Sequence, residues 1–280
     1  MATLDSVCPA GTRVGRIALR VSDLDRLVEF YREVVGLSVI ERSERRATLG
    51  ADGTPLLSLL ADPDAAPRAP DETGLFHTAF LLPSRAALGD ALGRIRDHWN
   101  LDGASDHRVS EALYLSDPEG NGVEIYRDRP QEEWPIEGDR VGIDTLPLDL
   151  SEIAALGTGS ETAPVETTVG HVHLEVSSLP RARAFYVEGL GLNVRQTYAD
   201  SALFLAAGDY HHHIGLNTWN GRSTPANGRG LAWFELVVSG ELPTIRERLT
   251  ERGIEAATED DALVLTDSDG ISLRLRVGSS

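Results

Sequence analysis

The stretch Val169–Tyr186, VGHVHLEVSSLPRARAFY, decides the fold because the chain contains it twice. The other copy is Val14–Tyr31, VGRIALRVSDLDRLVEFY, and each residue lies 155 positions before its counterpart. Gly15 and Gly170 are identical in the two copies, as are several apolar positions and the closing tyrosine. A repeat at a fixed offset indicates a duplicated supersecondary unit.

The repeated stretch has the pattern of a strand followed by a helix. Val14–Val21 alternates apolar and polar residues, which is typical of a half-buried strand. Ser22 and Asp23 then provide a helix N-cap, and apolar residues recur at helical spacing afterwards. Gly36 ends the predicted helix, since glycine adopts the left-handed C-terminal cap easily.

Two further segments show the same order of elements, so four units are predicted. Each is a strand, a helix and three more strands, and we expect an α+β fold in which four βαβββ units pair into two curved mixed sheets. The units are predicted at residues 14–60, 75–127, 169–219 and 231–277. We expect an N-terminal half (1–128), a linker (129–168) with flexible residues at 158–168, and a C-terminal half (169–280). Within the second unit, Leu101–His107 is predicted to be a loop.

The composition points to a cytoplasmic protein. Apolar residues make up 41% of the 280, which is ample for a core, and no apolar run is long enough for a membrane span. The first residues, MATLDSVCPAGTR, lack the apolar centre of a signal peptide. The single cysteine, Cys8, cannot form an intramolecular disulfide, which fits a reducing compartment. We therefore expect no contact with membranes.

Charge is the strongest compositional signal. The formal net charge is −18, and all 26 basic residues are arginine. A strongly acidic surface repels phosphate backbones, so we expect no binding to nucleic acid. The acidity is interpreted as adaptation to high salt, with an acidic protein from a GC-rich genome as the alternative. Composition leaves homo-oligomerisation open.

Three segments carry a resemblance to a known family. They are GHVHL at Gly170–Leu174, HHHIGLN at His211–Asn217, and the segment His107–Tyr126, which contains DPEGNGVE. With the four-unit pattern, they resemble the vicinal oxygen chelate superfamily of glyoxalases, extradiol dioxygenases and bleomycin-resistance proteins. The chain resembles most the bacterial catechol-2,3-dioxygenase group. The resemblance implies the fold predicted above.

The resemblance also implies where metal ligands lie, namely at the start of a unit's first strand and in its last strand. In the repeat register, His77 and His171 take the first place in units two and three. Arg16 stands there in unit one, and Trp233 or a neighbour in unit four.

In the last strands, Glu124 of unit two corresponds to Arg274 of unit four. The implied ligands are thus His77, Glu124 and His171. We expect units two and three to pair around one metal, while units one and four form a pair without one.

Two imidazoles and one carboxylate suit non-haem Fe(II), leaving three adjacent coordination positions open. The same set could hold zinc, and manganese and nickel are further candidates. A glyoxalase-type site would have a fourth ligand where Gly215 stands, and glycine offers none. The resemblance therefore implies an extradiol dioxygenase that uses a catechol-type aromatic diol and dioxygen. A glyoxalase-type lyase or isomerase and a non-catalytic small-molecule binding protein are the alternatives.

Three further side chains correspond to catalytic positions of the extradiol enzymes. His212 is implied as the acid–base histidine, which takes a proton from the diol and returns it later, as imidazole can near neutral pH. His107 is implied to hydrogen-bond substrate or oxygen, and Tyr114 lies near the place of a catalytic tyrosine. His173 shares a strand face with His171, so either could be the ligand. Which of the three histidines at 211–213 faces the site is also open.

Overall fold

The computed structural model describes residues 6–278, and four βαβββ units account for most of them. Unit one consists of β1 (Arg13–Val21), α1 (Leu24–Phe30), β2 (Ser38–Arg42), β3 (Arg46–Ala51) and β4 (Thr54–Ala61). Unit two consists of β5 (Gly74–Leu82), α2 (Arg85–His98), β6 (Gly103–Asp106), β7 (Ser110–Ser116) and β8 (Gly122–Asp128).

The second half repeats this order after a connection with little regular structure. The connection holds a 3-10 turn (Gln131–Glu133), β9 (Ile136–Glu137), β10 (Arg140–Val141) and α3 (Leu150–Leu156). Unit three consists of β11 (Thr168–Glu175), α4 (Leu179–Arg183), β12 (Asn193–Tyr198), β13 (Ala202–Ala206) and β14 (Ile214–Asn217). Unit four consists of β15 (Gly230–Val238), α5 (Leu242–Glu251), β16 (Ala257–Glu259), β17 (Ala262–Thr266) and β18 (Ser272–Val277).

The units pair across the two halves into two mixed sheets of eight strands. Sheet A joins units four and one in the order β16-β17-β18-β15-β1-β4-β3-β2. Sheet B joins units three and two in the order β12-β13-β14-β11-β5-β8-β7-β6. The two units of each sheet are joined at its centre by an antiparallel pair of strands, β1 with β15 in sheet A and β5 with β11 in sheet B. The predicted α+β fold is confirmed, and each sheet takes one unit from each half.

The helices of units one and three are built alike. Asp23 caps α1 by accepting a hydrogen bond from the backbone N–H of Arg26, and Ser178 caps α4 in the same way. Each helix then continues into a π-helical turn, at Tyr31–Val35 and Ala184–Gly189. The sequence did not predict these turns, which are rare and occur mostly as single turns within α-helices.

One continuous cluster of buried apolar side chains draws on both sheets and on the helices. It includes Leu19 of β1, Leu57 of β4, Leu174 of β11 and Phe234 of β15, all completely buried. Sharing one core fixes the two sheets relative to each other. This matters because the predicted ligands His77, Glu124 and His171 lie on sheet B. Within the described range, no helix is long and apolar enough to cross a membrane.

The loop predicted at Leu101–His107 is wrong, because residues Gly103–Asp106 form the edge strand β6. Its sequence, GASD, has no intrinsic preference for a strand. The strand exists because β7 offers an open edge, and Ala104 pairs with Leu113 there. Tertiary pairing therefore overrides local propensity at this edge of sheet B.

The connection between the halves is fastened to helix α2. The Asp90 carboxylate accepts hydrogen bonds from the backbone of Thr158 and Gly159, and Arg94 donates to the carbonyl of Ser160 at 2.9 Å. Helix α3 lies so close to α2 that a side chain at Gly89 would collide with the carbonyl of Ile153. The polar segment at 158–168 is thus held by specific hydrogen bonds despite its composition.

Candidate metal centre and cavity

Three neighbouring strands of sheet B bring His77, Glu124 and His171 together. Ala79 of β5 pairs with Glu124 of β8 on one side and with His171 of β11 on the other. His77 precedes Ala79 by two residues and so projects from the same face. The small side chain of Ala79 leaves room between the imidazoles and the carboxylate.

The distances within this group suit a divalent metal ion. The Nε2 atoms of His77 and His171 lie 2.9 and 3.1 Å from the same oxygen, Oε2 of Glu124. Metal–ligand bonds are about 2.0–2.2 Å long, so ligand atoms on adjacent coordination positions are expected roughly 3 Å apart. All three ligand atoms lie within 4.8 Å of one another, and all three residues are buried.

His77 gives a second reason to consider a metal. Its Nε2 is buried and, within residues 6–278, forms no hydrogen bond of acceptable geometry, even though the Glu124 oxygen is only 2.9 Å away. Buried nitrogen atoms normally have partners, and a cation at the centre of the group would supply one.

The protonation states match a metal donor set. Burial lowers the pKa of His171, so this imidazole is neutral at neutral pH. Burial opposes ionisation of Glu124, but His171, through its charge and a hydrogen bond, and His77, through its charge, hold the pKa of Glu124 well below the usual range. Neutral imidazole and ionised carboxylate are the forms that bind metal.

A cavity of about 450 Å³ opens next to this group. Aromatic side chains form much of its wall, and Tyr198 and Trp219 are partly exposed. The cavity-lining residues are Phe76, His77, Ser105, His107, Val109, Ser110, Tyr114, Glu124, Ile143, Asp144, Thr145, His171, His173, Gln196, Tyr198, Phe204, His212 and Trp219. The three predicted ligands and His107, Tyr114 and His212 thus all border one cavity.

Residues of the connection complete this wall. Ile143 donates its backbone N–H to Gln196 at 2.7 Å and accepts a hydrogen bond from the Gln196 amide at 2.8 Å. This reciprocal pair holds the segment from Ile143 to Thr145 against strand β12. Sequence reasoning missed these residues because the connection has neither a repeat counterpart nor a periodic pattern.

His173 also borders the cavity, but it is placed differently from His171. Its ring packs against Phe76, Phe204 and Trp219, with centroid distances of 5.3, 5.7 and 5.3 Å. A side chain on Gly215 would come within 2.7 Å of this ring. Glycine at the position of a fourth ligand is therefore explained by the space that the His173 ring occupies.

His107 and Tyr114 form a hydrogen-bonded pair in the wall. The His107 Nδ1 lies 2.5 Å from the carbonyl oxygen of Asp144, which can only accept, so Nδ1 carries the proton. With the ring proton on Nδ1, Nε2 accepts a hydrogen bond from the Tyr114 hydroxyl at 2.6 Å. Burial, with the charge of Glu124, raises the pKa of Tyr114 well above its usual value, so this hydroxyl stays protonated.

Of the three consecutive histidines, His212 is the one that borders the cavity. Its ring stacks on His171 with a centroid distance of 4.1 Å. Burial lowers the pKa of His212 well below its usual value, and the neighbouring imidazole of His171 adds to the effect. The ring is therefore neutral at neutral pH and able to accept a proton.

Sheet A carries different side chains at the corresponding three positions. Arg16, Trp233 and Arg274 stand where sheet B has His171, His77 and Glu124, and they contact one another. The guanidinium groups of Arg16 and Arg274 lie 5.1 and 4.4 Å from the centre of the Trp233 ring. Cations stacked on an aromatic face are a stabilising arrangement without metal-binding capacity.

Comparison with known proteins agrees with this geometry. The family model of the Glyoxalase/Bleomycin resistance protein/Dioxygenase superfamily matches residues 13–125. A protein of Bacillus subtilis (strain 168), catechol-2,3-dioxygenase, is 40% identical over 269 residues, covering 91% of this chain and 94% of the relative. The chain belongs to this superfamily.

Other members differ more. Biphenyl-2,3-diol 1,2-dioxygenase 3 of Rhodococcus globerulus is 28% identical over 158 residues, covering 52% of this chain and 83% of the relative. The crystal structure of glyoxalase I from Zea mays superposes with a TM-score of 0.55 at 16% identity, over 94% of this chain and 92% of that one. The CppA protein of Streptococcus pneumoniae gives 0.56 at 12% identity, over 95% and 99%. These solved structures share the superfamily fold.

Proposed function

We propose that the protein is an Fe(II)-dependent extradiol dioxygenase that cleaves the ring of a catechol-type aromatic diol. The observation that carries the proposal is the buried group of His77, Glu124 and His171 at the end of an aromatic cavity. Two imidazoles and one carboxylate leave adjacent coordination positions free, as a bidentate diol and dioxygen require. The 40% identity to a catechol-2,3-dioxygenase supports the same conclusion.

His77, Glu124 and His171 would hold the metal. Bound Fe(II) supplies the redox chemistry that lets a catecholate react with dioxygen. Manganese, zinc and nickel fit the same donor types, so the choice of iron rests on the proposed reaction. Because position 215 is glycine and the His173 ring fills the space above it, a glyoxalase-type fourth ligand has no counterpart there.

His212 is proposed as the group that removes a proton from the diol. Its neutral ring borders the cavity and stacks on His171, so it lies beside the proposed metal position. A base in this place can take the proton of one diol hydroxyl and return it when the ring opens. The low pKa that burial gives His212 makes the imidazolium a strong acid for the return step.

His107 and Tyr114 are proposed to orient the substrate. The Tyr114 hydroxyl donates to His107, and the His107 ring is anchored on the carbonyl of Asp144. Both of their protons are thereby used within the cavity wall, so the Tyr114 oxygen is left to accept a hydrogen bond from a diol hydroxyl. This arrangement places two polar groups beside the aromatic walls at fixed positions.

The cavity wall favours a diol with an uncharged substituent. Phe76, Phe204 and Trp219 provide apolar surface. None of the cavity-lining side chains found within residues 6–278 is an arginine, and the chain has no lysine. Apart from Glu124, the charged group on the wall is the carboxylate of Asp144, which is paired at 3.3 Å with Arg108, a residue outside the wall. A substituent carboxylate would therefore meet no cationic side chain on the wall itself.

Other expectations remain predictions. They are the two halves at 1–128 and 169–280 with the linker 129–168, the cytoplasmic location, and the absence of nucleic-acid and membrane partners. Homo-oligomerisation stays open. The acidic composition supports the expectation about nucleic acid.

Anaerobic reconstitution with Fe(II) tests the proposal. The purified protein is loaded with iron, excess metal is removed, and catechol and dioxygen are then added. Stoichiometric oxygen uptake with a yellow ring-opened product is the expected result. Retained iron without oxygen uptake, across unsubstituted, alkyl-substituted and aryl-substituted catechols, would refute ring cleavage.

A further inference from the structure

We infer that His211 and Asp128 are positioning residues that fix which ring nitrogen of His212 carries its proton. The inference rests on the proposed function, in which His212 takes a proton from the diol. It concerns Asp128, for which neither the sequence nor the family resemblance indicated a role, and His211, for which the sequence left open whether it faces the site. Three side chains form the arrangement, two from the loop before β14 and one from the end of β8.

The three side chains are joined by two hydrogen bonds. Nδ1 of His212 lies 2.7 Å from Nδ1 of His211, and Nε2 of His211 lies 2.9 Å from Oδ1 of Asp128. His211 is completely buried, whereas Asp128 stands at the end of β8 with its side chain partly exposed. The chain of contacts therefore leads from the cavity to the protein surface.

The identities of these groups determine the direction of both hydrogen bonds. An ionised carboxylate can only accept, so His211 must donate its Nε2–H to Asp128. With its one ring proton on Nε2, His211 presents an unprotonated Nδ1, which accepts a hydrogen bond from Nδ1–H of His212. The remaining nitrogen of His212, Nε2, is thereby left with a free lone pair. This is the tautomer that a base needs if Nε2 is to take a proton from the substrate.

Neighbouring side chains hold His211 and Asp128 in place. The rings of Trp134 and Tyr210 lie 5.1 and 4.1 Å from the His211 ring. The second oxygen of Asp128 accepts a hydrogen bond of 2.9 Å from the Tyr210 hydroxyl, which also contacts the hydroxyl of Tyr126. Both carboxylate oxygens are thus occupied by donors, so the orientation of Asp128 is defined.

His213, in the same histidine run, provides a matched control. Its Nδ1 accepts the backbone N–H of Ala207 at 3.2 Å, and His213 does not border the cavity. His213→Asn places an amide oxygen where Nδ1 stood and so keeps that hydrogen bond. A general effect of disturbing this segment would appear in both His213→Asn and a His211 variant. An effect on the tautomer of His212 would appear only in the latter.

The test compares His211→Phe, Asp128→Asn and His213→Asn as iron-loaded proteins. For the first two we expect kcat to fall about 10²-fold while KM and bound iron change less than about twofold. His213→Asn should keep the wild-type kcat. A second readout needs no activity: nitrogen-15 spectra of the zinc-loaded protein should show His212 protonated at Nδ1 in the wild type and a mixture of tautomers in His211→Phe.

The outcomes separate this inference from the proposed function. If the wild-type protein cleaves no catechol, ring cleavage is refuted, and the nitrogen-15 spectra still decide the tautomer. If the wild type is active and His211→Phe and Asp128→Asn keep its kcat, the positioning role is refuted. Equal losses in all three variants, or a His212 proton on Nε2 in the wild type, would refute it as well. Should His211→Phe fail to fold, Asp128→Asn, at a partly exposed position, gives the same comparison.

Discussion

Tyr186 donates a hydrogen bond of 2.9 Å to the buried carboxylate of Asp267, which joins unit three to unit four. The relationship is repeated in the first half, where Tyr31 donates to Asp117 at 3.1 Å. Each tyrosine lies in the helix of a unit that belongs to one sheet, and each aspartate lies in a turn between strands of the other sheet. These hydrogen bonds therefore tie sheets A and B together. The two tyrosines occupy equivalent positions of the sequence repeat. Their hydrogen bonds to the aspartates give a physical reason for tyrosine at both positions.

Removal of the Tyr186 hydroxyl should destabilise the fold. In Tyr186→Phe the buried Asp267 loses a donor, and we expect the free energy of unfolding to fall by about 1–3 kcal/mol. Urea unfolding measures the change. Tyr198→Phe, at an exposed position on strand β12, is the control and should leave the free energy within about 0.5 kcal/mol. Equal losses in both variants would contradict the expectation.

The loss of unfolding free energy in Tyr186→Phe should depend on pH. Burial raises the pKa of Asp267, while the backbone N–H groups of Ile271 and Asp269 and the Tyr186 hydroxyl oppose the rise. The stabilising effect of this raised pKa is full below the unfolded-state pKa of about 3.9 and is lost as pH rises through the folded-state pKa. Tyr186→Phe raises the folded-state pKa further, so its cost should be larger near pH 8 than near pH 4. Unfolding free energies at both pH values test this, and equal costs would count against it.

Metal binding should depend on sheet B alone. We expect Glu124→Gln to abolish stoichiometric metal binding, because a neutral amide replaces the carboxylate between two imidazoles. Arg274→Gln, which places the same residue at the corresponding position of sheet A, should leave one metal per chain. Metal analysis after dialysis measures both. Retention of metal by Glu124→Gln, or its loss from Arg274→Gln, would show that the ion lies elsewhere.

Substrate charge should affect turnover strongly. A carboxylate on the catechol ring would enter an aromatic cavity whose wall includes the carboxylate of Asp144. We expect kcat/KM for 3,4-dihydroxybenzoate to be at least about 100-fold below that for an alkyl catechol of similar size. Initial rates of oxygen uptake give both values. Comparable values would mean that an arginine outside the wall reaches the substrate.

The cavity wall should loosen when Gln196 is shortened. Gln196→Ala removes both hydrogen bonds that hold Ile143, each worth about 1 kcal/mol, so KM should rise by up to about 30-fold with bound iron unchanged. Thr197→Ala, which removes the contact of the next residue with Arg140, is the matched control. A rise in KM of the same size in both variants would point to general disturbance of β12.

The repeat made most of the fold predictable, and it also made the pairing of units two and three predictable from which copies retain His77, Glu124 and His171. The structure brings these three residues together, whereas the repeat register favoured His171 over His173 without excluding His173. That choice depends on the space above Gly215, which only the folded sheet defines. Sequence reasoning also could not predict that Ile143 lines the cavity or that His211 contacts Asp128. They join residues far apart in the chain that no repeat or periodicity relates.

Each sheet combines one unit from each half of the chain, and this arrangement has a consequence for biosynthesis. Ile17 pairs with Phe234 at the centre of sheet A, and His77 pairs with His173 at the centre of sheet B. Contacts between such distant residues slow folding, since a long loop must close before they form. His77 and Glu124 leave the ribosome long before His171, so a nascent chain carries an incomplete ligand set. A metal held by the three proposed ligands would therefore bind only after residue 171 of 280 has left the ribosome.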